Sequence, residues 1–215
     1  YNIISPSIAQ IGDNYQFSYK KSISTLDALL TLQYHVIEYI ENKKFGGVHI
    51  ISIDFSKAFD KLNQEKAYAK FSKFISNQKL ALWLYDFSKN RKQRLVWTNE
   101  NLQFHNIDLG CSQGTVGGPN IFSMFTNDLQ ALSKECKMIK YADDTLLIVP
   151  CLKNSDSLQS NMNNNLKREV NNIFEWSKLN SLPINMSKSN HILVSVSRFH
   201  SCKCTPPDQN IPKVD

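Results

Sequence analysis

Three aspartates lie where apolar runs of the sequence end. Asp54 follows the run 48–53, and Asp143 and Asp144 lie between the short run 138–139 and the run 146–149. Apolar runs of this length predict strands, and the second pattern predicts a strand, a tight turn and a strand with the acids at the turn. Carboxylates at the ends of neighbouring strands can converge on two magnesium ions, which hold the attacking and leaving oxygens of a phosphoryl transfer. The pattern therefore favours nucleotide polymerisation.

Each of these aspartates also has an ordinary structural explanation. Asp54 could cap the turn after its strand, and Asp143 and Asp144 could be common turn residues. Against the second explanation, adjacent carboxylates repel each other, and a divalent cation relieves that repulsion. The apolar strands on both sides also bury the flanks of the turn.

Hydrophobic spacing predicts the elements that must position the acids. A helix should begin at Ser24 or Thr25, because either residue can cap it and apolar side chains recur at helical spacing after it. Those apolar residues are Leu26, Leu29, Leu30, Tyr34, Ile37 and Ile40. Further helices are predicted at about 64–75, 79–88 and 120–132 and around 166–176, with strands at 48–54 and 191–196, a hairpin pairing 91–97 with 102–109, and a glycine-rich loop at 110–119.

One acid-bearing strand leads into a helix, whereas the other is half of a hairpin. This combination predicts the α+β class, with an antiparallel sheet and helices packed on one of its faces. The other face would stay open and leave the carboxylates at the floor of a cleft.

Size, charge and cysteine content limit the class of protein. The 215 residues suffice for one sizeable core, or for one domain with an appendage. The net charge of +6 favours polyanionic partners, although a mildly basic soluble protein would look the same. Five cysteines without a CxxC pair favour reduced thiols in an intracellular protein over a disulfide scaffold or a zinc site.

The ends and the hydropathy of the chain lead to two further expectations. No apolar stretch approaches the roughly 20 residues of a membrane helix, so no membrane partner is expected. The sequence starts at Tyr1 without an initiator methionine or a signal peptide. We therefore expect a fragment of a longer protein.

Four segments, in this order, resemble the motifs of reverse transcriptases from non-LTR (LINE-like, jockey/CR1-type) retrotransposons. Weaker matches at 16–29 and 91–94 extend the resemblance to about residues 16–196. Ser112 departs from the family pattern, because a proline usually stands at its position. The four segments are Asp54-Phe55-Ser56-Lys57-Ala58-Phe59-Asp60, Gln113-Gly114-Thr115-Val116-Gly117-Gly118-Pro119, Tyr141-Ala142-Asp143-Asp144, and the set Trp176, Asn180, Leu182, Asn185 and Lys188.

The resemblance implies a right-hand polymerase palm with part of the fingers. Residues 1–47 would be partial fingers and a lead-in segment, residues 48–196 the palm, and residues 197–215 a loose C-terminal tail. The rest of the fingers, a thumb and an endonuclease region of a parent polyprotein would lie outside this chain.

The resemblance also implies roles for individual residues. Asp54, Asp143 and Asp144 would be catalytic and would bind two Mg²⁺ ions, with Mn²⁺ as an alternative. Phe59 would be a steric gate that leaves no room for a ribose 2′-OH, unless it is a core residue. Lys188 would lie near the triphosphate, unless it is a solvated surface lysine.

The glycine-rich loop and the basic run before it would contact nucleotide or template. Gln113 and Gly114 would contact the incoming base pair or the template backbone, or the loop could merely lead into the next helix. Arg91, Lys92 and Arg94 suit phosphate contacts, and they equally suit a solvated hairpin edge.

The implied function is an RNA-directed DNA polymerase, a nucleotidyltransferase that adds deoxynucleotides to a primer 3′-OH. Its partners would be an RNA template, a DNA primer and deoxynucleoside triphosphates, inside the cell in the nucleus or the cytoplasm. An inactive palm-fold relic that binds nucleic acid is the alternative. An RNA-templated RNA polymerase shares the acids, but Phe59 argues against it because such an enzyme needs space for the 2′-OH.

Overall fold

The computed structural model describes residues 13–97, 100–101, 103–152 and 156–195. In chain order these residues form α1 (Thr25–Glu41), β1 (Phe45–Ile53), α2 (Ala58–Lys61), α3 (Gln64–Phe71), α4 (Gln78–Ser88), β2 (Arg91–Gln93), β3 (Val96–Trp97), β4 (Glu100–Asn101), β5 (His105–Ile107), α5 (Gly117–Phe125), β6 (Lys137–Tyr141), β7 (Asp144–Leu152), α6 (Asp156–Asn180) and β8 (Asn190–Ser195). None of the helices in these residues is long and apolar enough to cross a bilayer.

The chain divides into two compact units, which we call the sheet unit and the helical unit. Among the described residues, the sheet unit contains those within 13–56, 128–179 and 183–195, and the helical unit contains those within 57–127 and 180–182. The proposed domain boundaries after residues 47 and 196 stay predictions. The tail at 197–215 and the first twelve residues of the lead-in segment lie outside the described residues.

The sheet unit is built on an antiparallel sheet with the strand order β6-β7-β1-β8. Ile53 at the end of β1 pairs with Thr145, and Tyr141 at the end of β6 pairs with Asp144. The strand bearing Asp54 and the predicted hairpin are therefore neighbours, and the α+β class is confirmed. β1 starts three residues earlier than predicted, because Phe45 still pairs with Leu152 of β7. Gly47 lets β8 approach on the other side, since a Cβ there would lie 2.7 Å from the Val194 carbonyl oxygen.

The two faces of the sheet differ in exposure. On one face, side chains such as Ile51 and Leu147 are completely buried. On the other face, Val48 and Ile148 pack beneath α1, whereas Ser52 at the acid end is only partly buried. Since side chains alternate along a strand, Asp54 continues this second face. The acids therefore lie at the partly open end of the sheet.

Residues 15–17 run along the outer edge of β6. The Lys140 amide donates to the Tyr15 carbonyl oxygen at 2.8 Å, and the Phe17 amide donates to the Lys140 carbonyl oxygen at 2.9 Å. Gln16 forms an isolated parallel bridge with Lys140. The lead-in segment thereby extends the sheet by a short stretch.

Helix α1 begins as predicted, but its apolar stripe does not face the sheet. Ser24 and Asp27 form a capping box, in which the Ser24 amide and hydroxyl both donate to the Asp27 carboxylate. Ala28 and Tyr39 pack against the sheet, whereas Leu26, Leu29, Leu30, Tyr34 and Ile37 are exposed. Helical spacing predicts that apolar residues share a face; it does not specify which face meets the sheet.

In the helical unit, α3 packs against α4 and α5, and β2 pairs with β5 as the predicted hairpin. The prediction of a helix at 120–132 was wrong in its limits, because α5 spans Gly117–Phe125. Pro119 is accommodated in the first turn, where its missing N–H costs no helical bond. At the other end the Thr126 hydroxyl donates to the Phe122 carbonyl oxygen at 3.2 Å.

Candidate metal and nucleotide site

The β6–β7 hairpin presents Asp143 in its tight turn. Tyr141 and Asp144 form the last strand pair, which leaves Ala142 and Asp143 as the two turn residues. Ala142 has a φ of 56°, in the left-handed region that hairpin turns of this length require. The turn thus carries backbone strain at the residue beside the aspartates, as functional sites often do.

The backbone of Asp54 is held by the turn before β8. The Asn185 amide donates to the Asp54 carbonyl oxygen at 2.7 Å, and the Asp54 amide donates to the Ser189 hydroxyl oxygen at 3.2 Å. Phe55 forms a bridge with Ile184 and is 3% exposed, so it belongs to the core. Ser189 escaped sequence analysis, because a lone serine that follows a lysine gives no signal.

The three aspartates are close enough to interact electrostatically. Partial burial raises the pKa of the Asp144 carboxyl group, and the negative charges of Asp143 and then Asp54 raise it further. The two neighbouring carboxylates therefore disfavour the ionised form of Asp144 when no cation is bound. This is the charge distribution that a divalent ion would neutralise.

The donor set fits magnesium in kind. Carboxylate oxygens are hard ligands, and Mg²⁺ in phosphoryl-transfer sites takes only a few protein ligands because water and substrate phosphates complete its shell. Across the described ranges, no group of three or more His, Cys, Asp or Glu side chains is arranged to hold a metal ion. The assignment of Asp54, Asp143 and Asp144 as ligands stays a prediction.

Lys188 lies in the same turn that holds Asp54. Its amide donates to the Asn185 carbonyl oxygen at 3.2 Å, and its side chain is exposed. The structure thus places this lysine in the sheet unit with the acids. Its contact with a triphosphate stays a prediction.

In the helical unit, Phe59 stacks on Phe122. The ring centroids are 4.5 Å apart, and Phe122 is completely buried while Phe59 is only partly buried. A buried ring behind Phe59 fixes the orientation of its exposed face. That support would suit a residue that must exclude a substrate group by bulk.

The predicted glycine-rich loop contains an ordered contact at Gln113. The Gln113 side-chain amide donates to the Asp60 carboxylate at 2.6 Å, and both residues are exposed. Gly114 has a φ of +73°, and a Cβ there would meet no atom within 4 Å. The positive φ, and not lack of space, therefore favours glycine at position 114.

Arg91 is bound within the protein through its guanidinium group. Its Nη2 donates to the carbonyl oxygens of Leu109 and Gly110, both at 2.8 Å, and its Nε donates to the Ser88 carbonyl oxygen at 3.0 Å. Arg94, by contrast, lies over the Phe104 ring at 5.0 Å. Arg91 thus supports the loop, a role that sequence analysis did not assign to it.

Solved telomerase structures share this fold. The apo telomerase of Candida tropicalis, truncated from the C-terminal domain, matches with a TM-score of 0.62 over 92% of this chain and 40% of that chain at 15% identity. The telomerase of Candida albicans, in complex with a TWJ fragment of telomeric RNA, matches with a TM-score of 0.65 over 91% of this chain and 34% of that chain at 11% identity. The protein therefore has a polymerase fold of the palm-and-fingers type.

The chain belongs to the reverse transcriptase (RNA-dependent DNA polymerase) family, whose sequence profile matches residues 2–208. A Pol polyprotein of the type-1 retrotransposable element R1 from Bradysia coprophila is 29% identical over 84% of this chain and 17% of its own length. The polymerase of the mobile element jockey from Drosophila funebris is 24% identical over 68% of this chain and 16% of its own length. The resemblance to non-LTR retrotransposon enzymes is confirmed, and the chain spans about a fifth or less of these relatives.

Proposed function

We propose that the protein containing this chain is an RNA-directed DNA polymerase that extends a primer 3′-OH with deoxynucleotides. The observation that carries the proposal is the pairing of Ile53 with Thr145, which brings Asp54 to the same end of the sheet as Asp143 and Asp144. There, partial burial and then the charges of Asp143 and Asp54 raise the pKa of Asp144. Family membership and the polymerase fold support it.

In this proposal Asp54, Asp143 and Asp144 hold two Mg²⁺ ions. When bound, the ions supply charge neutralisation at the attacking and leaving oxygens. The protein contributes mostly position and charge, because phosphoryl transfer leaves little covalent work to side chains. The turn at Asn185 and Ser189 fixes Asp54, and the hairpin pairing fixes Asp143 and Asp144.

The proposed partners are an RNA template, a DNA primer and deoxynucleoside triphosphates. The net charge of +6 favours binding to nucleic acid phosphates. A telomerase of the same fold was solved with RNA. Gln113 and Gly114 would contact the nascent pair, and Lys188 would approach the triphosphate.

The decisive experiment is primer extension by the full-length protein on an RNA template with Mg²⁺. Asp143→Asn should lower kcat by at least about a thousandfold, since the amide keeps the shape of the side chain and removes the charge. An exposed acid of the helical unit, changed by Glu65→Gln, serves as the control and should retain activity. Equal rates for wild type and Asp143→Asn would refute the proposal, and no extension by wild type would favour the non-catalytic alternative.

Sugar selection tests the role of Phe59 separately. Phe59→Val should admit ribonucleotides, because the smaller side chain leaves room for the 2′-OH, and the ratio of kcat/KM for dNTP over rNTP should fall by at least about tenfold. Phe104→Val, at an exposed aromatic residue of the same unit, is the control. Unchanged sugar selectivity in Phe59→Val would remove the assignment.

A further inference from the structure

The loop that carries Gln113 is bonded to the end of the first motif along several residues. The Gly110 amide donates to the Leu62 carbonyl oxygen at 2.7 Å, and the Cys111 amide donates to the Phe59 carbonyl oxygen at 2.8 Å. The Gln64 side chain adds a hydrogen bond to the Gly110 carbonyl oxygen at 3.1 Å. These bonds fix the loop up to Cys111 relative to the segment that contains Phe59 and Asp60.

Arg91 holds the same stretch from its other side. Its guanidinium group bonds the Leu109 and Gly110 carbonyl oxygens and reaches the Ser112 hydroxyl at 3.5 Å. The planar fork of arginine suits two neighbouring acceptors, which lysine could not engage in the same way. These hydrogen bonds hold the backbone that leads into Gln113, independently of the contact that its side chain makes with Asp60.

The Asp60 carboxylate then orients the Gln113 amide. An ionised carboxylate only accepts hydrogen bonds, so the amide NH₂ faces Asp60 and the flipped arrangement would set two oxygens against each other. With Nε2 directed to Asp60, the carbonyl oxygen Oε1 is turned away from it. Asp60 thus decides which end of the amide a ligand would meet.

We propose that Asp60 is a positioning residue for Gln113, and that it makes Gln113 a hydrogen-bond acceptor toward the N–H or O–H groups of the nucleotide or the template strand. The inference rests on the proposed polymerase function and adds to it a residue that acts through Gln113. Asp60 itself contacts the amide and touches no reacting atom.

A double-mutant cycle in the full-length protein tests the pairing. Asp60→Ala and Gln113→Ala should each raise the KM for dNTP roughly 3- to 10-fold with little change in kcat, as expected when a ground-state hydrogen bond is lost. The double variant should be no worse than Gln113→Ala alone, because Asp60 acts only through that side chain. Multiplied effects in the double variant, or an unchanged KM in Asp60→Ala, would overturn the proposal.

Conservative variants separate positioning from a merely structural role. Asp60→Asn should have a KM between those of wild type and Asp60→Ala, because its amide oxygen still accepts from Gln113 Nε2 while its NH₂ group also allows the flipped arrangement of the Gln113 amide. Glu65→Ala removes an exposed acid of the same unit and should leave KM unchanged. If Asp60→Asn were as defective as Asp60→Ala, a structural or purely electrostatic role would replace the proposal.

The amide signals of Gln113 give a readout without catalysis. In ¹⁵N-labelled protein, Asp60→Ala should shift the Gln113 side-chain NH₂ resonances and speed their exchange with solvent, and Asp60→Asn should do so less. Unshifted resonances in Asp60→Ala would overturn the pairing even if primer extension succeeds. Lack of extension by wild type with the expected shifts would overturn the polymerase proposal and the assigned role while leaving the hydrogen bond itself established.

Discussion

Aspartates occur in two contrasting environments in the sheet unit: one is neutralised by a lysine, and three others lie next to each other. At the edge of β6, Asp13 lies against Lys140, with Oδ2 and Nζ 2.6 Å apart and the two side chains 8% and 1% exposed. Where β1 ends and β7 begins, Asp54 and Asp143 are partly buried and Asp144 is exposed, and the three lie close enough to interact electrostatically. The first group is a buried ion pair, and the second is a set of like charges.

The surroundings of the buried pair satisfy its charges. Lys140 Nζ also donates to the Leu129 carbonyl oxygen at 2.8 Å, and the Tyr15 amide donates to Asp13 Oδ1 at 2.9 Å. Burial lowers the pKa of Lys140, and the Asp13 carboxylate opposes that shift. The pair therefore holds the lead-in segment to the sheet, whereas the exposed acids are the ones proposed to bind a cation.

The largest expected effect comes from breaking the buried pair. Lys140→Met should lower the free energy of unfolding by about 3–5 kcal/mol, because the buried Asp13 carboxylate would lose the cation that lies 2.6 Å from it. The change is measured by urea denaturation at neutral pH.

Two variants check the cause of that loss. Adding Asp13→Asn to Lys140→Met should recover most of it, since no uncompensated charge remains. Lys44→Met breaks a half-exposed pair with Glu135, at 2.7 Å, and should cost less than about 1 kcal/mol. A loss in the double variant as large as in Lys140→Met would show that packing, and not charge, dominates.

A substitution in the turn beside the exposed acids should stabilise the protein, in contrast to the loss of the buried ion pair. Ala142→Gly should raise the free energy of unfolding by about 1 kcal/mol, because glycine adopts a φ of 56° without the Cβ clash that alanine carries. Ala142→Val should lower it, since a β-branched residue fits that region worse. Thermal unfolding of the three proteins measures the order, and a neutral glycine variant would contradict strain at the turn.

The smallest expected effect on stability is that of Asp144→Asn. Removing one like charge should stabilise the metal-free protein by less than about 1 kcal/mol, because solvent screens a largely exposed carboxylate. Saturating Mg²⁺ should stabilise wild type more than this variant, since a ligand that binds the folded state adds to its stability. Equal Mg²⁺-induced shifts in the melting temperature would argue against Asp144 as a ligand.

The pH dependence of the same variant has a definite sign. The pKa of Asp144 is raised in the folded, metal-free state, so the folded protein binds this proton more tightly than the unfolded chain does. The free energy of unfolding therefore falls as the pH rises through the raised pKa. The advantage of Asp144→Asn over wild type should therefore be present at neutral pH and vanish below about pH 4, near the ordinary pKa of an aspartate. An advantage that persists in acid would need another cause.

The three clustered aspartates could be predicted from the sequence, whereas the side-chain pairs that form between distant segments could not. Asp54, Asp143 and Asp144 were found because they adjoin apolar runs that form neighbouring strands, and that pattern is local in the sequence. Asp60 and Gln113 are 53 residues apart in sequence, and no periodicity links them. The same limit hid Asp13 and Lys140, whose pairing depends on how the lead-in segment folds back on β6.

Helix α1 shows the limit for secondary structure. Its start was predictable because Ser24 and Asp27 are local capping partners. Its buried face was not, because the exposed stripe that includes Leu26 and Leu30 carries a stronger apolar signal than Ala28 and Tyr39, which actually meet the sheet. Tertiary packing, which local spacing does not encode, determines which face of α1 is buried.

The stretch 15–17 along β6 has a consequence for how molecules of this protein meet one another. An outer strand with unpaired amides and carbonyls is a template for the strand of another molecule. At Lys140 both backbone groups are already taken by Tyr15 and Phe17. This border of the sheet is thereby closed to strand exchange and fibrous self-association at the point nearest the aspartate hairpin.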